Sequence, residues 1–394
     1  MEKLPKIFIG LLLFFLFFTC GKQEKSPELL VGLGATSVIA LRREDVPDLK
    51  LSMELFQTRR DGKKLSFLEA LTEQEKKAGF VPNAELSTVS DAWTRQVYKA
   101  GIDLKSSASL VEQFFSSDSN RVLFPEYIRR KIEEGMRFGK RYLNPEDVYG
   151  VKTELDGVPG MQQSLIFDED KTKLALIAQG SEFPNVSVNM GEKPIVLFKA
   201  GRKVTFTYEA LRRSSLLRAG LFFSAIGNRI GRQITKRALE VIEKGDGNAA
   251  ALTPKETATT TWKYSDVVQF LYGDFDEGYE PSHVIVNRKF FVKIFTDNTN
   301  FPQFQSPGIL EKFLRTGEQE DLLGVIWKIH PDIPDDTIFA FNKKECLEYY
   351  EEKNSAIVET DKIISNQTEI GTISRNLNFG IIDAKARGIK KLKA

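Results

Sequence analysis

The sequence predicts an α+β fold organised around one unusually long helix. Three observations carry that expectation. Residues 209–244 keep a single helical apolar stripe over thirty-six positions, residues 155–203 switch to short strand-like runs, and residues 246–394 mix helical and strand periods without a repeat. The chain has 394 residues, 41% of them hydrophobic and 28% charged. That is enough for two or three domain-sized units with their own cores, and it matches neither a disordered chain nor a multispan membrane protein.

Residues 1–20 stand apart as a signal-like or anchor segment. Lys3 and Lys6 precede an apolar run, Ile7 to Phe18, followed by Thr19, Cys20 and Gly21. A basic start, a short apolar stretch and a small residue have the pattern of an export signal, and the run is short of the ~20 residues a membrane span needs. Cys20 sits where a bacterial lipoprotein signal places its lipidated cysteine, although Phe17 and Phe18 depart from the residues preferred before it. Residues 21–118 then read as a helix-leaning N-terminal arm. Val31 to Leu41 is apolar and glycine-containing; its GLGATS lacks the spacing of a phosphate loop, and a turn beside a buried segment accounts for it. Ser66 to Lys77 combines a capping serine, early acids and late lysines, the pattern of a surface helix.

Residues 119–154 open with NRVLFPEYIRRKIEEGMRFGK (Asn120 to Lys140). Pro125 is suited to a first helical turn, and Ile128, Ile132 and Met136 recur every four residues on one face. Residues 155–203 carry LALIA (Leu174 to Ala178), NVSVN (Asn185 to Asn189) and IVLFK (Ile195 to Lys199), runs that predict an extended hairpin without a core of its own. KVTFTY (Lys203 to Tyr208) alternates cleanly and leads into the helix over residues 209–244, a rod on the order of 54 Å stopped by Gly245, Asp246 and Gly247.

That helix concentrates charge. Arg212, Arg213, Arg218, Arg229, Arg232, Lys236, Arg237 and Lys244 face only Glu209, Glu240 and Glu243, a surplus of +5 in a chain whose net charge is +2. Two readings fit: a solvated face, or a face turned toward a polyanion, with Arg229, Arg232, Lys236 and Arg237 as the phosphate-facing candidates. Beyond it, Thr261 to Leu271, Arg288 to Phe295, Gly308 to Arg315 and Lys344 to Tyr350 read as helices. His283 to Asn287, Leu322 to Lys328 and Ile338 to Phe341 read as strands. Residues 351–394 return to strand patterning at Ser355 to Thr360, Ile370 to Ser374 and Leu377 to Ile382, with a basic tail from Lys385 to Lys393.

Scarcity narrows the chemistry. Two Cys and two His cannot build zinc knuckles or a disulfide framework. A nucleophilic triad would have only His283 or His330 as base, and both sit in contexts of ordinary structural histidines. No catalytic, cofactor or metal site is expected, and no enzyme activity.

The order of elements resembles the major capsid protein of tailed bacteriophages, whose fold is shared with encapsulin shells. The likeness covers roughly residues 120–394. It is carried by VLFPEYIRRKIEEGM (Val122 to Met136), FKAGRKVTFTYEALRRSSLL (Phe198 to Leu217), ALEVIEKGDGNAA (Ala238 to Ala250), SHVIVNRKFF (Ser282 to Phe291) and LLGVIWKIHPDIPDDTIFAFNKKECLEYY (Leu322 to Tyr350). A fainter likeness lies in DAWTRQVYKAGI (Asp91 to Ile102). The resemblance implies a phage major-capsid-like fold. Residues 119–154 and 204–245 would form a peripheral domain around the long spine helix, and 155–203 the extended β-hairpin loop lying over a neighbour. Residues 246–350 would form the axial αβ domain, and 351–394 would return to the peripheral sheet.

The implied function is a structural shell subunit of a phage or prophage head. It would self-assemble as pentamers and hexamers around DNA in the bacterial cytoplasm, with portal, scaffold or maturation protease as partners. An encapsulin-like compartment with protein cargo is the nearer alternative. An exported surface lipoprotein anchored through Cys20 and binding an extracellular ligand is the other. The signal-like start conflicts with cytoplasmic assembly. A misassigned start (Met53 is an internal methionine), a retained apolar segment, or recruitment of a shell fold to the envelope would each resolve it.

Overall fold

In the computed structural model the described residues are 29–33, 37–60, 63–82, 90–137, 139–155, 161–162, 165–167, 188–190, 193–275, 278–316, 321–353, 357–363, 365 and 367–393. The signal-like segment with Cys20, the LALIA run and most of NVSVN lie outside them.

The N-terminal arm begins as a pair of antiparallel strands, Leu29–Leu33 and Ser37–Leu41, within the apolar run. Helix α1 (Phe67–Lys77) starts at Ser66, whose hydroxyl accepts from Glu69 N–H while the Glu69 carboxylate reaches back to the Ser66 amide. This is the reciprocal cap that its sequence announces. It is less of a surface helix than expected. Phe67, Ala70 and Leu71 are buried, and so is Glu75, which pairs with the equally buried Arg95 at 2.5 Å on helix α2 (Ala92–Lys99).

Helix α3 (Asp118–Met136) starts seven residues before Pro125, at a Ser117 cap that accepts from Asn120 N–H. Pro125 is therefore interior, where it removes one helical hydrogen bond. Burial of Val122, Leu123 and Phe124 in the preceding turn holds the helix through it. Ile128, Ile132 and Met136 are buried as their spacing requires.

The predicted thirty-six-residue rod is two helices, α4 (Tyr208–Arg213) and α5 (Leu216–Lys244). Ser214 and Ser215 are extended, and this stretch pairs with the segment before residue 112: Val111 N–H donates to Ser214 O at 3.1 Å and Leu216 N–H to Ser109 O at 2.8 Å. The Ser215 hydroxyl then caps α5 through Arg218 N–H. Twenty-nine residues span about 44 Å. Gly245 ends α5 at φ +82°, with no room for a Cβ beside Ala249 O, the left-handed stop that favours glycine.

Helices α3 and α5 meet through small residues. Gly220, Ser224, Gly227 and Gly231 lie at steps of four, three and four along α5, which places them on one face. Ser224 donates to Lys131 O, and Tyr127 Oη donates to Leu216 O at 2.6 Å. Gly135 of α3 faces Ser224 so closely that an added Cβ would stand 2.1 Å from its carbonyl oxygen.

Two sheets flank this pair. The strands are β1 (Val151–Leu155), β2 (Phe198–Thr207), β3 (Lys255–Glu256), β4 (His283–Val286), β5 (Asp321–Leu322), β6 (Val325–Ile329), β7 (Thr337–Phe341), β8 (Leu347–Glu352), β9 (Ile357–Ile363), β10 (Thr368–Ile381) and β11 (Arg387–Lys391). The first sheet has the order β2–β10–β8–β1, with β9 also on β10. KVTF is thus the second half of one ten-residue strand that runs directly into α4, as its alternation predicts. Between β1 and β2, Met161–Gln162 pairs antiparallel with Ile195–Val196, and Leu165–Phe167 with Val188–Met190.

The second sheet has the order β3–β11–β7–β4–β6–β5, with helices α6 (Tyr264–Tyr272), α7 (Arg288–Thr296) and α8 (Pro307–Thr316) beside it. It is a wall between two cores. Ile285, Phe339 and Phe341 point to the core of α3 and α5, and Val284, Val286, Ile338 and Ala340 to a second core around Trp262, Phe270, Phe290 and Trp327. Alternation with both faces buried explains why these strands read as nearly unbroken apolar runs.

Two further expectations change. The helix expected over Lys344 to Tyr350 is only one turn, α9 (Lys343–Cys346). Leu347, Tyr349 and Tyr350 favour the pleated surface and continue as β8 against β10. The basic tail is strand β11. Ile389 packs in the first core, and Arg387 donates to Ile242 O at the end of α5 and to Ala250 O, both at 2.6 Å.

Candidate assembly surfaces

Once Arg212 and Arg213 fall on α4, the basic surplus of α5 is +4: Arg218, Arg229, Arg232, Lys236, Arg237 and Lys244 against Glu240 and Glu243. Successive residues turn by about 100°, so Arg229, Arg232 and Lys236 fall within one narrow stripe. Arg229 and Lys236 are exposed and Arg232 half-buried. Arg237 is turned away from them. Its guanidinium lies over the Phe198 ring on β2, 5.6 Å from the centroid, and 3.5 Å from Glu240 on the same helix. Of the four polyanion-facing candidates, three share a face and the fourth belongs to the sheet side.

The early turns of α5 have a different surface. Leu217, Leu221 and Phe222 are exposed, Leu221 to 74%, so an apolar patch precedes the basic stripe along one helix. Tyr272 on α6 and Val292 on α7 are likewise exposed on the second unit. A contiguous exposed apolar patch, as on the early turns of α5, is the kind of surface that partners cover, whereas single exposed residues such as Tyr272 and Val292 are ordinary.

A ladder of alternating charges joins the arm, α3 and the first sheet. Arg130 bridges Asp91 (2.6 Å) and Glu126 (2.9 Å). Arg129 bridges Glu126 (2.7 Å) and Glu133 (2.6 Å). Arg375 on β10 bridges Glu133 (3.3 Å) and Glu351 (3.1 Å), and Lys152 on β1 bridges Glu351 (3.0 Å) and Glu154 (2.8 Å). Burial works against the charge on Lys152, but its two carboxylate partners outweigh that and raise its pKa. For Asp91, burial is likewise outweighed by the Thr94 N–H and Arg130, which hold it below the usual carboxylate range. A partially buried run of this kind fixes relative orientation, because each side chain is held from two sides. Periodicity could not reveal it, since Arg375 and Glu133 are 242 residues apart.

The two histidines are not placed as catalytic bases. His283 is buried with its ring stacked on Phe341, and its Nδ1 lies 2.9 Å from Ser282 Oγ. Burial lowers its pKa to about 4. His330 Nδ1 accepts from Asp332 N–H at 3.3 Å, so the ring proton is on Nε2, which donates to Thr235 Oγ1 at 3.0 Å. Burial lowers its pKa as well. Burial pushes the Cys346 thiol up to about 12, and Cys20, the lipidation candidate, lies outside the described residues. Among the described residues no group of three or more His, Cys, Asp or Glu is placed to hold a metal ion, and no helix is long and apolar enough to cross a membrane.

A family model described as phage capsid protein matches residues 191–392, which takes in α5, the second sheet with its core, and every strand of the first sheet except β1. No curated protein matches the chain. Among solved structures, the capsid of a native GTA particle is similar at 16% identity, covering 64% of this chain and 91% of that one with a TM-score of 0.46. The virus-like particle from Pyrococcus furiosus is similar at 13% identity, covering 68% and 98% with a TM-score of 0.42. The capsid of cyanophage P-SCSP1u is similar at 12% identity, covering 65% and 90% with a TM-score of 0.46.

Proposed function

From its membership in the phage capsid protein family, to which the chain belongs over residues 191–392, we infer the working parts of a shell subunit. The protein is a major capsid subunit, a structural component of the virion shell. The family match is the observation that carries this.

The peripheral domain is built on α3, α5 and the first sheet, and the axial domain on the second sheet and its core. The hairpin between β1 and β2 is the extended loop. A hairpin reaching out from the sheet suits a clasp between subunits, and many modest heterologous contacts of that kind close into a shell. The ladder from Asp91 to Glu154 keeps arm, spine and sheet in one orientation, so that each subunit presents its contacts at a fixed angle.

The contents are DNA, held without sequence preference. Arg229, Arg232 and Lys236 form a stripe of three cations, enough for weak and salt-sensitive phosphate contact. The subunit performs no chemistry of its own, a reading supported by two buried neutral histidines and a buried unreactive thiol. Assembly takes place in the bacterial cytoplasm, with portal, scaffold or maturation protease as partners. The exported-lipoprotein reading gains no support from the family match.

Expression of the chain from Lys22 onward, followed by size exclusion and negative-stain imaging of the heaviest fraction, tests the function. Closed particles with nuclease-protected nucleic acid are expected. Particles that retain a cargo protein in place of nucleic acid would replace the head by a protein compartment.

A further inference from the structure

The N-terminal arm carries a cationic surface that the charge ladder does not use. Residues 58–65 read Thr-Arg-Arg-Asp-Gly-Lys-Lys-Leu, four cations and one acid. Asp-Gly is a dipeptide of tight two-residue turns, and its flanks pair accordingly. Arg59–Arg60 runs antiparallel to Lys63–Lys64, with Arg59 opposite Lys64 and Arg60 opposite Lys63. Leu65 N–H closes the base onto Thr58 O at 2.9 Å.

This register sets a like-charged residue across from each cation, which opposes the pairing. Strands of two residues supply no core of their own to offset it. Arg60 reaches Glu73 of α1 at 3.1 Å, but its side chain is 67% exposed, so solvent screens the contact. Successive residues of a strand face opposite ways, which places Arg59 on the side away from Glu73. Arg59 is exposed and makes no ion pair among the described residues.

Helix α1 extends the surface. Lys76 and Lys77 lie three and four residues beyond Glu73, on the same helical face. Both are exposed and make no ion pair among the described residues. Alone they would be ordinary cations at a helix C-terminus. The Arg60–Glu73 contact brings the hairpin to that face, and together the two elements carry six cations against Asp61 and Glu73. The other acids of α1 are occupied elsewhere, Glu69 in the Ser66 cap and Glu75 on the buried Arg95. The stripe on α5 has half as many cations.

A fixed excess of cations without apolar relief fits a polyanion. Residues 58–65 hold no aromatic side chain to stack on a base, so the chemistry suits a phosphodiester backbone and is blind to sequence. We propose that residues 59–64 and the C-terminal end of α1 form a second nucleic-acid site, which takes the phosphate backbone of DNA. It lies outside residues 191–392, the span of the family match. The DNA contents proposed above name its occupant; the site itself belongs to the folded chain and needs no closed shell.

The test is binding of a short labelled DNA duplex to the unassembled chain, read by fluorescence anisotropy across a salt series, with circular dichroism to verify folding. Arg59→Gln with Lys64→Gln flattens the log–log salt slope by about 1.8, at about 0.9 per cation removed. Lys76→Gln with Lys77→Gln flattens it equally without touching the hairpin. Arg288→Gln with Lys289→Gln, the same loss of charge at exposed positions of α7, leaves the slope unchanged. An unchanged slope in either folded surface variant overturns the site, and so does a control that flattens the slope as much, which would leave net charge alone as the cause. Vesicles containing phosphatidylglycerol are the second probe. Variants that lose vesicle binding but keep the DNA slope make the surface a membrane contact and overturn the site as well. None of these outcomes bears on particle formation, so the shell reading stands or falls apart from this site.

Discussion

Replacing Gly227 by alanine separates two effects of opposite sign. In an open helix the change removes the entropic penalty of glycine and stabilises by about 1 kcal/mol. At Gly227 the new Cβ would stand 2.1 Å from Ile132 O and 2.9 Å from its carbonyl carbon. Ordinary contact begins near 3.4 Å, so the α3–α5 seam must widen locally by about 1.3 Å. Neither atom is a flexible side-chain end; both belong to helix backbone. Overpacking of this kind costs ~1–3 kcal/mol, and the widened seam also loosens contacts of the buried Ile132 and Phe223. We expect a net loss of about 1–2 kcal/mol, read in the unassembled chain as a thermal midpoint lower by a few degrees. Gly308→Ala on α8 is the control, because a Cβ there meets nothing within 4 Å, and it should be neutral or stabilising. If Gly227→Ala stabilises as much as Gly308→Ala, the backbone-to-backbone packing of α3 on α5 is refuted.

Four other outcomes are expected. Glu126, 2% exposed, accepts from both Arg129 and Arg130. Glu126→Ala should cost ~3 kcal/mol in urea unfolding, whereas Asp91→Ala at the half-exposed end of the ladder should cost at most ~1 kcal/mol. Burial holds the folded His283 pKa near 4, below its unfolded 6.5. Its contribution is therefore complete above pH 6.5 and lost as pH falls toward 4, about 1.4 kcal/mol by pH 5.5; a His283→Leu chain should show a shallower decline over that interval. Cys346 is fully buried with a raised pKa, so in a Cys20→Ser background its reaction with a thiol reagent should follow global unfolding, and rapid labelling of the native chain would contradict its placement. Changing Arg229, Arg232 and Lys236 to Gln should flatten the salt dependence of DNA binding by about 0.9 in log–log slope per side chain removed; an unchanged slope would return that stripe to a solvated face.

Local signals were legible where local physics decides them. The Ser66 cap, the four-residue stripe of α3, the Gly245 stop and the buried strands of the second sheet all follow from residues within a turn or two of one another. The break at Ser214–Ser215 was not legible. The apolar stripe continues across it, and its cause is strand-like pairing with Ser109 and Val111, a hundred residues earlier. The tail over residues 387–391 shows the same limit: its basic composition suggests solvent, while Arg387 answers the carbonyl ends of α5. The glycines of α5 carried a readable signal. Gly220, Gly227 and Gly231 with Ser224 form a small-residue face, visible once spacing is counted for small residues as well as for large apolar ones. The charge ladder depends on pairs far apart in sequence, which no periodicity records.

Three-dimensional reconstruction of particles formed by the purified chain tests assembly itself. A closed shell is expected. In it, neighbouring subunits meet through the unit of the second sheet at the symmetry axes, and the hairpin between β1 and β2 lies across the spine region of an adjacent copy. A chain that remains monomeric at every salt and crowding condition, or particles in which that hairpin touches no neighbour, would contradict it.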